Sequence, residues 1–322
     1  MPALDKPLHE LEQYLGTNPR PADFDAYWAK ALQELDGVYP AVKMIPVDVL
    51  GNTNAELFHL YFTGVGGARV YAKYLRPKNP PKPSPAILQF HGYAGSSGDW
   101  SDKLNFVNEG FAVAALDCRG QGGLSEDNSQ VIGNTREGHL IRGLDGPPEK
   151  LLYRQLFLDT AQLARIVMAL PEIDPARVGS MGGSQGGALA LVCAALEPRI
   201  ARTASVFPFL SDYQRVWEMD LAKDAYNDIK QYFRRFDPLH ERAGEVFTKL
   251  GYIDIQHLAS RIRSEVLMGI TLMDNICPPS TQFAAFNKIT AKKESVIYPD
   301  FGHEALPQFN DRIFRFMMGL KG

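Results

Sequence analysis

Apolar residues recur along this chain with two periods, and the switches between them mark out its elements. In Asp23-Phe24-Asp25-Ala26-Tyr27-Trp28-Ala29-Lys30-Ala31-Leu32 the apolar positions Phe24, Tyr27, Trp28, Ala31 and Leu32 fall at three- and four-residue steps. This spacing predicts an amphipathic helix capped by Asp23. Residues 44–76 alternate apolar and polar character around Gly64–Gly67, the pattern of an antiparallel pair of strands. Lys78–Pro85 carries four prolines and reads as a surface loop. Two near-continuous apolar runs follow, Ala86–Phe90 and Phe111–Asp117, with a helical interval between them. Parallel strands covered on both faces look like this. Residues 124–150 show no period and read as a long loop. Leu152, Leu156, Leu163, Ile166, Val167 and Leu170 then form a helical stripe leading into a strand at Arg177–Met181. Beyond it come an apolar helix (Ala188–Leu196), a strand (Ala204–Phe207), a mainly helical insertion from about Leu210 to Arg263, and strands at Val266–Ile270 and Ser295–Tyr298 around a helix near Ser280–Ile289. Strand, helix, strand alternation predicts an α/β fold: a doubly wound, mostly parallel sheet with an N-terminal helical extension over residues 1–40.

Length narrows this little: 322 residues fit one α/β domain with an ample core, and no linker divides the chain. The net charge of -3, with Lys and Arg scattered, gives no basic face for nucleic acid. No stretch of about 18 apolar residues is present, and Met1 opens a polar segment, so the expectation is a cytoplasmic protein without a membrane partner. The three cysteines, Cys118, Cys193 and Cys277, lie in apolar surroundings and read as reduced, buried thiols.

The chemistry centres on Val178-Gly179-Ser180-Met181-Gly182-Gly183-Ser184-Gln185-Gly186-Gly187. A strand that ends in Gly-x-Ser-x-Gly and enters a helix is a nucleophile elbow. Gly182 and Gly186 let strand and helix pass without Cβ clashes, and Ser184 is presented at the tip. A serine hydroxyl needs a base to take its proton, and the base needs an orienting acid. Asp274 follows one late strand and His303 another, in the order serine, acid, histidine of α/β-hydrolases. Asp300 is the rival acid, but a three-residue turn places it poorly for reaching back to the imidazole.

The oxyanion of a tetrahedral intermediate needs two fixed donors. The Gln185 N–H at the helix start supplies one, and the loop His91-Gly92-Tyr93 supplies the other, assigned to the Tyr93 N–H. His91 is expected to hold that loop in shape. No His-Glu-x-x-His or paired-ligand spacing calls for a metal, and no phosphate or dinucleotide loop calls for a cofactor. Gly64-Val65-Gly66-Gly67 precedes a strand and reads as a turn.

Arg119-Gly120-Gln121, the elbow and His303-Glu304 together resemble the signature of the acetyl xylan esterase and cephalosporin C deacetylase family, carbohydrate esterase family seven. Pro21–Asp25, Asp117–Gly123, Tyr232–Arg235 and Pro278–Thr281 extend the likeness over nearly the full chain. The resemblance implies a serine esterase of the α/β-hydrolase fold that removes acetyl groups from sugars such as acetylated xylo-oligosaccharides, and from cephalosporin C. It further implies a homohexamer, Ser184, Asp274 and His303 as triad, and Tyr93 and Gln185 as oxyanion hole. Phe106 and Phe209 fall where the family places aromatics near the acyl pocket, with Tyr93 beside them, and Arg119 and Gln121 look like supports for the loops. A general short-chain carboxylesterase, a serine peptidase and a catalytically silent scaffold are the rival readings.

Overall fold

The computed structural model describes residues 4–51, 54–80, 83–131 and 138–322. Helices α1 (Leu8–Leu11) and α2 (Phe24–Asp36) precede strands β1 (Lys43–Val47), β2 (Ala55–Thr63), β3 (Arg69–Pro77) and β4 (Ser84–Phe90). Helix α3 (Leu104–Asn108) leads to β5 (Ala112–Leu116), and α4 (Leu152–Met168) leads to β6 (Ile173–Gly183). Helix α5 (Gln185–Leu196) is followed by β7 (Arg202–Val206). The insertion holds α6 (Tyr213–Glu218), α7 (Asn227–Phe236), α8 (Ala243–Leu250) and α9 (Ile255–Leu258). The chain closes with β8 (Glu265–Thr271), α10 (Pro279–Lys288), β9 (Lys293–Tyr298) and α11 (Phe309–Met318).

Among the described residues, these nine strands form one sheet in the order β1-β2-β3-β5-β4-β6-β7-β8-β9. Pairing is parallel from β5 through β9 and antiparallel among β1, β2, β3 and β5. This is the α/β-hydrolase arrangement. Side chains alternate across it as a pleat requires. Ala86, Leu88, Phe90, Ala112, Ala114 and Leu116 face a core shared with α2, α4 and α5. Ile87 and Val113 face a second core closed by Phe106 and Phe111 and by Phe309, Ile313 and Met317 of α11. Helix α5 is apolar all round and buried throughout, as a helix packed between sheet and neighbours must be.

Several sequence expectations need correction. The two strands expected over residues 44–76 are three, because the exposed β1 pairs with β2 at the sheet edge. Pro85 lies within β4 and not in the preceding loop. The register shifts between Ser84 and Ala86, and such an irregularity accommodates a residue with no N–H to donate. Asp23 precedes α2, but its side chain makes no capping bond and instead accepts the Tyr252 hydroxyl. The buried face of α2 is the predicted one: Trp28 stacks on Phe157 of α4 and donates to the Tyr252 carbonyl at 3.0 Å. Helix α1 lies within the expected N-terminal helical extension, and α11 was not expected. Within the loop expected at 124–150, residues 132–137 lie outside the described residues. Among the described residues no helix is long and apolar enough to cross a membrane.

Candidate active site

Strand β6 runs out at Gly183 and α5 begins at Gln185, which leaves Ser184 to make the whole turn at φ 56, ψ -122. Glycines make that turn possible. A Cβ on Gly186 would stand 2.0 Å from the Phe90 carbonyl oxygen, and one on Gly182 would stand 2.4 Å from the Gly186 carbonyl carbon. The strained residue is pinned on both sides. Its N–H donates to Val206 at 2.9 Å, and its carbonyl accepts from Ala188 at 3.0 Å and Phe209 at 3.1 Å.

Sheet geometry brings the other two expected residues to the same rim. His303, in the turn after β9, places Nε2 3.0 Å from Ser184 Oγ and Nδ1 2.8 Å from Asp274 Oδ2. Asp274, after β8, is fully buried. Its Oδ1 accepts from the Ile276 and Cys277 N–H groups at 2.9 and 2.8 Å. A carboxylate held this way accepts from the imidazole Nδ1–H, so Nε2 is the bare nitrogen that faces the serine hydroxyl. Asp300, the rival acid, is exposed. The Phe207 ring packs 4.4 Å from the imidazole ring.

Gln185 stands at the first position of α5, where its N–H has no intrahelical acceptor and the helix dipole is positive. Its buried side chain is tied down as well. Oε1 accepts from the Tyr153 hydroxyl at 2.7 Å and from Gln121 at 2.9 Å. Gln121 Oε1 in turn accepts from the Ala94 N–H at 3.0 Å. One amide thus joins the loop carrying Tyr93 to the start of α5. His91 accepts the Cys118 N–H at Nε2, 3.0 Å, and donates from Nδ1 to the Gly92 carbonyl at 2.7 Å. Burial pulls its pKa down, consistent with a neutral ring that braces the loop.

Arg119 is a buried brace. It forms two bonds to Asp159 of α4, at 2.5 and 2.7 Å, and donates to the Val65 carbonyl at 2.8 Å, so it braces the β2–β3 turn against α4. Phe209 is buried against Tyr93 and Tyr226, with ring centroids at 5.7 and 4.4 Å. Phe106 is buried and packs between Phe111 and Phe314 in the second core, on the side of α11.

Sequence reading missed Phe207, Cys277 and Asp228 as neighbours of the site. Phe207 had a signal, since it directly follows a strand that pairs with the elbow strand. Asp274, Cys277 and His303 bring ligand-type atoms within 4.8 Å of one another. Asp274 and His303 already bond to each other. Burial, with Asp274 beside it, pushes the Cys277 pKa well up, and contact with the Ser184 hydroxyl only partly opposes this. A neutral thiol is a poor ligand and a poor nucleophile, so within this trio the Asp274–His303 pair is the part suited to moving a proton.

A family model described as Acetyl xylan esterase (AXE1) matches residues 1–320. The structure of acetyl xylan esterase 1 from Thermoanaerobacterium sp. JW/SL YS485 is 56% identical, with a TM-score of 0.97 over 99% of this chain and 100% of that one. An acetyl xylan esterase from Paenibacillus sp. R4 is 34% identical, with a TM-score of 0.93 over 98% and 99% of the two chains. An acetyl esterase of Xylanibacter ruminicola is 27% identical over 90% of this chain. The chain spans 65% of that curated relative's length. With a match along almost its whole length and the serine, histidine and aspartate brought into bonding contact, the chain belongs to the acetyl xylan esterase family.

Proposed function

We propose that this protein is a serine esterase that removes acetyl groups from small carbohydrates, acetylated xylo-oligosaccharides above all, and that it also deacetylates cephalosporin C. The observation that carries the proposal is the continuous line of contacts from Ser184 Oγ through His303 to Asp274. In the proposed reaction Ser184 Oγ attacks the acetyl carbonyl while His303 Nε2 takes its proton. Asp274 stabilises the imidazolium that forms. The oxyanion faces the N–H groups of Gln185 and Tyr93, and each such donor typically contributes about 10²- to 10³-fold in turnover. Collapse breaks the ester bond, and His303 returns the proton to the departing sugar oxygen. Water then attacks the acetyl-serine by the same route, releasing acetate and restoring Ser184. Tyr93 and Phe209 are proposed to wall the acyl group and to favour acetyl over longer chains.

The test is a comparison of kcat/KM on 4-nitrophenyl acetate, the matching butyrate, acetylated xylo-oligosaccharides, cephalosporin C and a peptide anilide. Acetyl esters should be preferred, and Ser184→Ala should lower turnover by roughly 10⁶-fold. Preference for butyrate would make the protein a general short-chain carboxylesterase, and cleavage of the anilide would make it a peptidase.

A further inference from the structure

Asp228 is the second residue of α7, in the insertion, and is 3% exposed. Burying a carboxylate is costly unless donors replace its water. Among the described residues, donors from two other parts of the chain meet its Oδ2. The Tyr93 hydroxyl donates at 3.2 Å and the Leu140 N–H at 3.1 Å. The first comes from the loop after β4 and the second from the segment before α4, so one carboxylate joins three parts of the chain far apart in sequence.

Tyr93 is held at other points too. Its ring meets His139 and Phe209 edge-on, with centroids at 4.9 and 5.7 Å. The Phe209 N–H in turn donates to the carbonyl of Ser184. On the backbone side Ala94 turns at φ 57, a left-handed conformation that surrounding contacts have to maintain, and its N–H is held by Gln121. Tyr93 is therefore held at its hydroxyl tip by the insertion, and the residue that follows it is held at its N–H by Gln121.

We propose that Asp228 is a positioning residue for the oxyanion hole: by holding the Tyr93 hydroxyl it sets the attitude of the Tyr93 N–H toward the developing oxyanion. The inference rests on the function proposed above and gives the insertion a part in it. Helix α7 buttresses a catalytic loop and is not a detachable cover. An oxyanion donor works over a narrow range of distance, about 2.7–3.1 Å. A misplacement of about 1 Å can cost 10²-fold in rate, which bounds what losing the Asp228 contact should do.

The experiment uses the full chain with Tyr93→Phe, Asp228→Ala, Asp228→Asn and the double variant Tyr93→Phe/Asp228→Ala. Read-outs are kcat and KM on 4-nitrophenyl acetate, the affinity of a small boronic acid that mimics the tetrahedral state, and the thermal midpoint. We expect Tyr93→Phe and Asp228→Ala each to lower kcat by about 10- to 100-fold with KM little changed. Boronate affinity should fall in parallel. The double variant should be no worse than Asp228→Ala, because both changes remove the same contact. Asp228→Asn, which keeps an acceptor oxygen, should restore most of the rate. Unchanged kcat in Tyr93→Phe, or losses that simply add in the double variant, would overturn the inference and leave Asp228 a structural tie. Should Asp228→Ala fail to fold, Tyr93→Phe and Asp228→Asn decide it, since Tyr93→Phe leaves the Leu140 bond in place. A wild-type chain with no esterase activity, or a Ser184→Ala chain that keeps it, would instead sink the underlying function and this inference with it.

Discussion

Ser184 sits in a backbone conformation that L residues rarely adopt, at a cost of about 1–3 kcal/mol that neighbouring contacts have to offset. The three main-chain hydrogen bonds to Val206, Ala188 and Phe209 and the close crossing at Gly182 and Gly186 do so. That part of the site was legible because the requirement is local: two glycines flanking a serine fix the turn whatever the rest of the chain does. It also yields a prediction of unusual sign. Alanine normally stabilises a helix relative to glycine by about 1 kcal/mol. At Gly186, inside α5, the new methyl would meet the Phe90 carbonyl oxygen at 2.0 Å, and backbone cannot move aside. Gly186→Ala should lose about 3 kcal/mol or more and its esterase activity. Gly183→Ala meets nothing nearer than 3.7 Å and should keep a thermal midpoint close to wild type. Equal midpoints for the two variants would refute this steric account. The packing of Phe106 between Phe111 and Phe314 was not legible, since an aromatic's place depends on which way a short helix turns it. Cys277 shows the same for a thiol, whose closeness to Ser184 is set by a loop that no periodicity encodes.

Elements with strong periods were legible and those without were not. The stripe of α2, the continuous apolar strands β4 and β5 and the apolar helix α5 were all read from sequence, with ends off by a few residues. Strand β1 escaped because it is mostly exposed and shows no clear inward face. The small helices of the insertion could be assigned only as a group, and α9 among them carries a pH-dependent term. Burial, together with the Lys288 and Arg20 charges, lowers the His257 pKa from 6.5 to about 3, against the opposing pull of the Pro19 and Asn18 backbone. The unfolded chain therefore takes up a proton below about pH 6.5 that the folded chain refuses until about pH 3, and stability falls with pH across that window. Asp254, at the start of the same helix, acts in the opposite sense. Burial beside Asp212 raises its pKa, so its contribution is present at low pH and lost as pH rises. A His257→Gln variant separates the two. Its thermal midpoint minus that of wild type should grow as pH is lowered from 6.5 toward 4. A difference that stays constant with pH would contradict the buried, neutral histidine.

At the scale of the whole molecule, the sheet explains how residues so distant in sequence meet. Strands β6, β8 and β9 run parallel, so the turns that follow them open on one edge, and that edge collects Ser184, Asp274 and His303. Parallel pairing was readable from strand and helix alternation. The antiparallel β1–β2–β3 end was only partly so, because edge strands obey weaker patterning rules. What no pattern announced is the traffic across the site: Gln121 joining two loops, Asp228 reaching in from the insertion, and Trp28 fastening the N-terminal helix to α4 and the insertion. These are contacts between side chains remote in sequence, which exist only once the topology is set.

The most direct test of the central claim is to trap the reaction in progress. The protein is mixed with 4-nitrophenyl acetate, quenched in acid during turnover and digested, and the peptides are weighed by mass spectrometry. One acetyl group should appear on the peptide bearing Ser184 and be missing from the His303→Ala protein. Normal turnover with no acetyl on that peptide, or with the acetyl on another residue such as Cys277, would contradict the account.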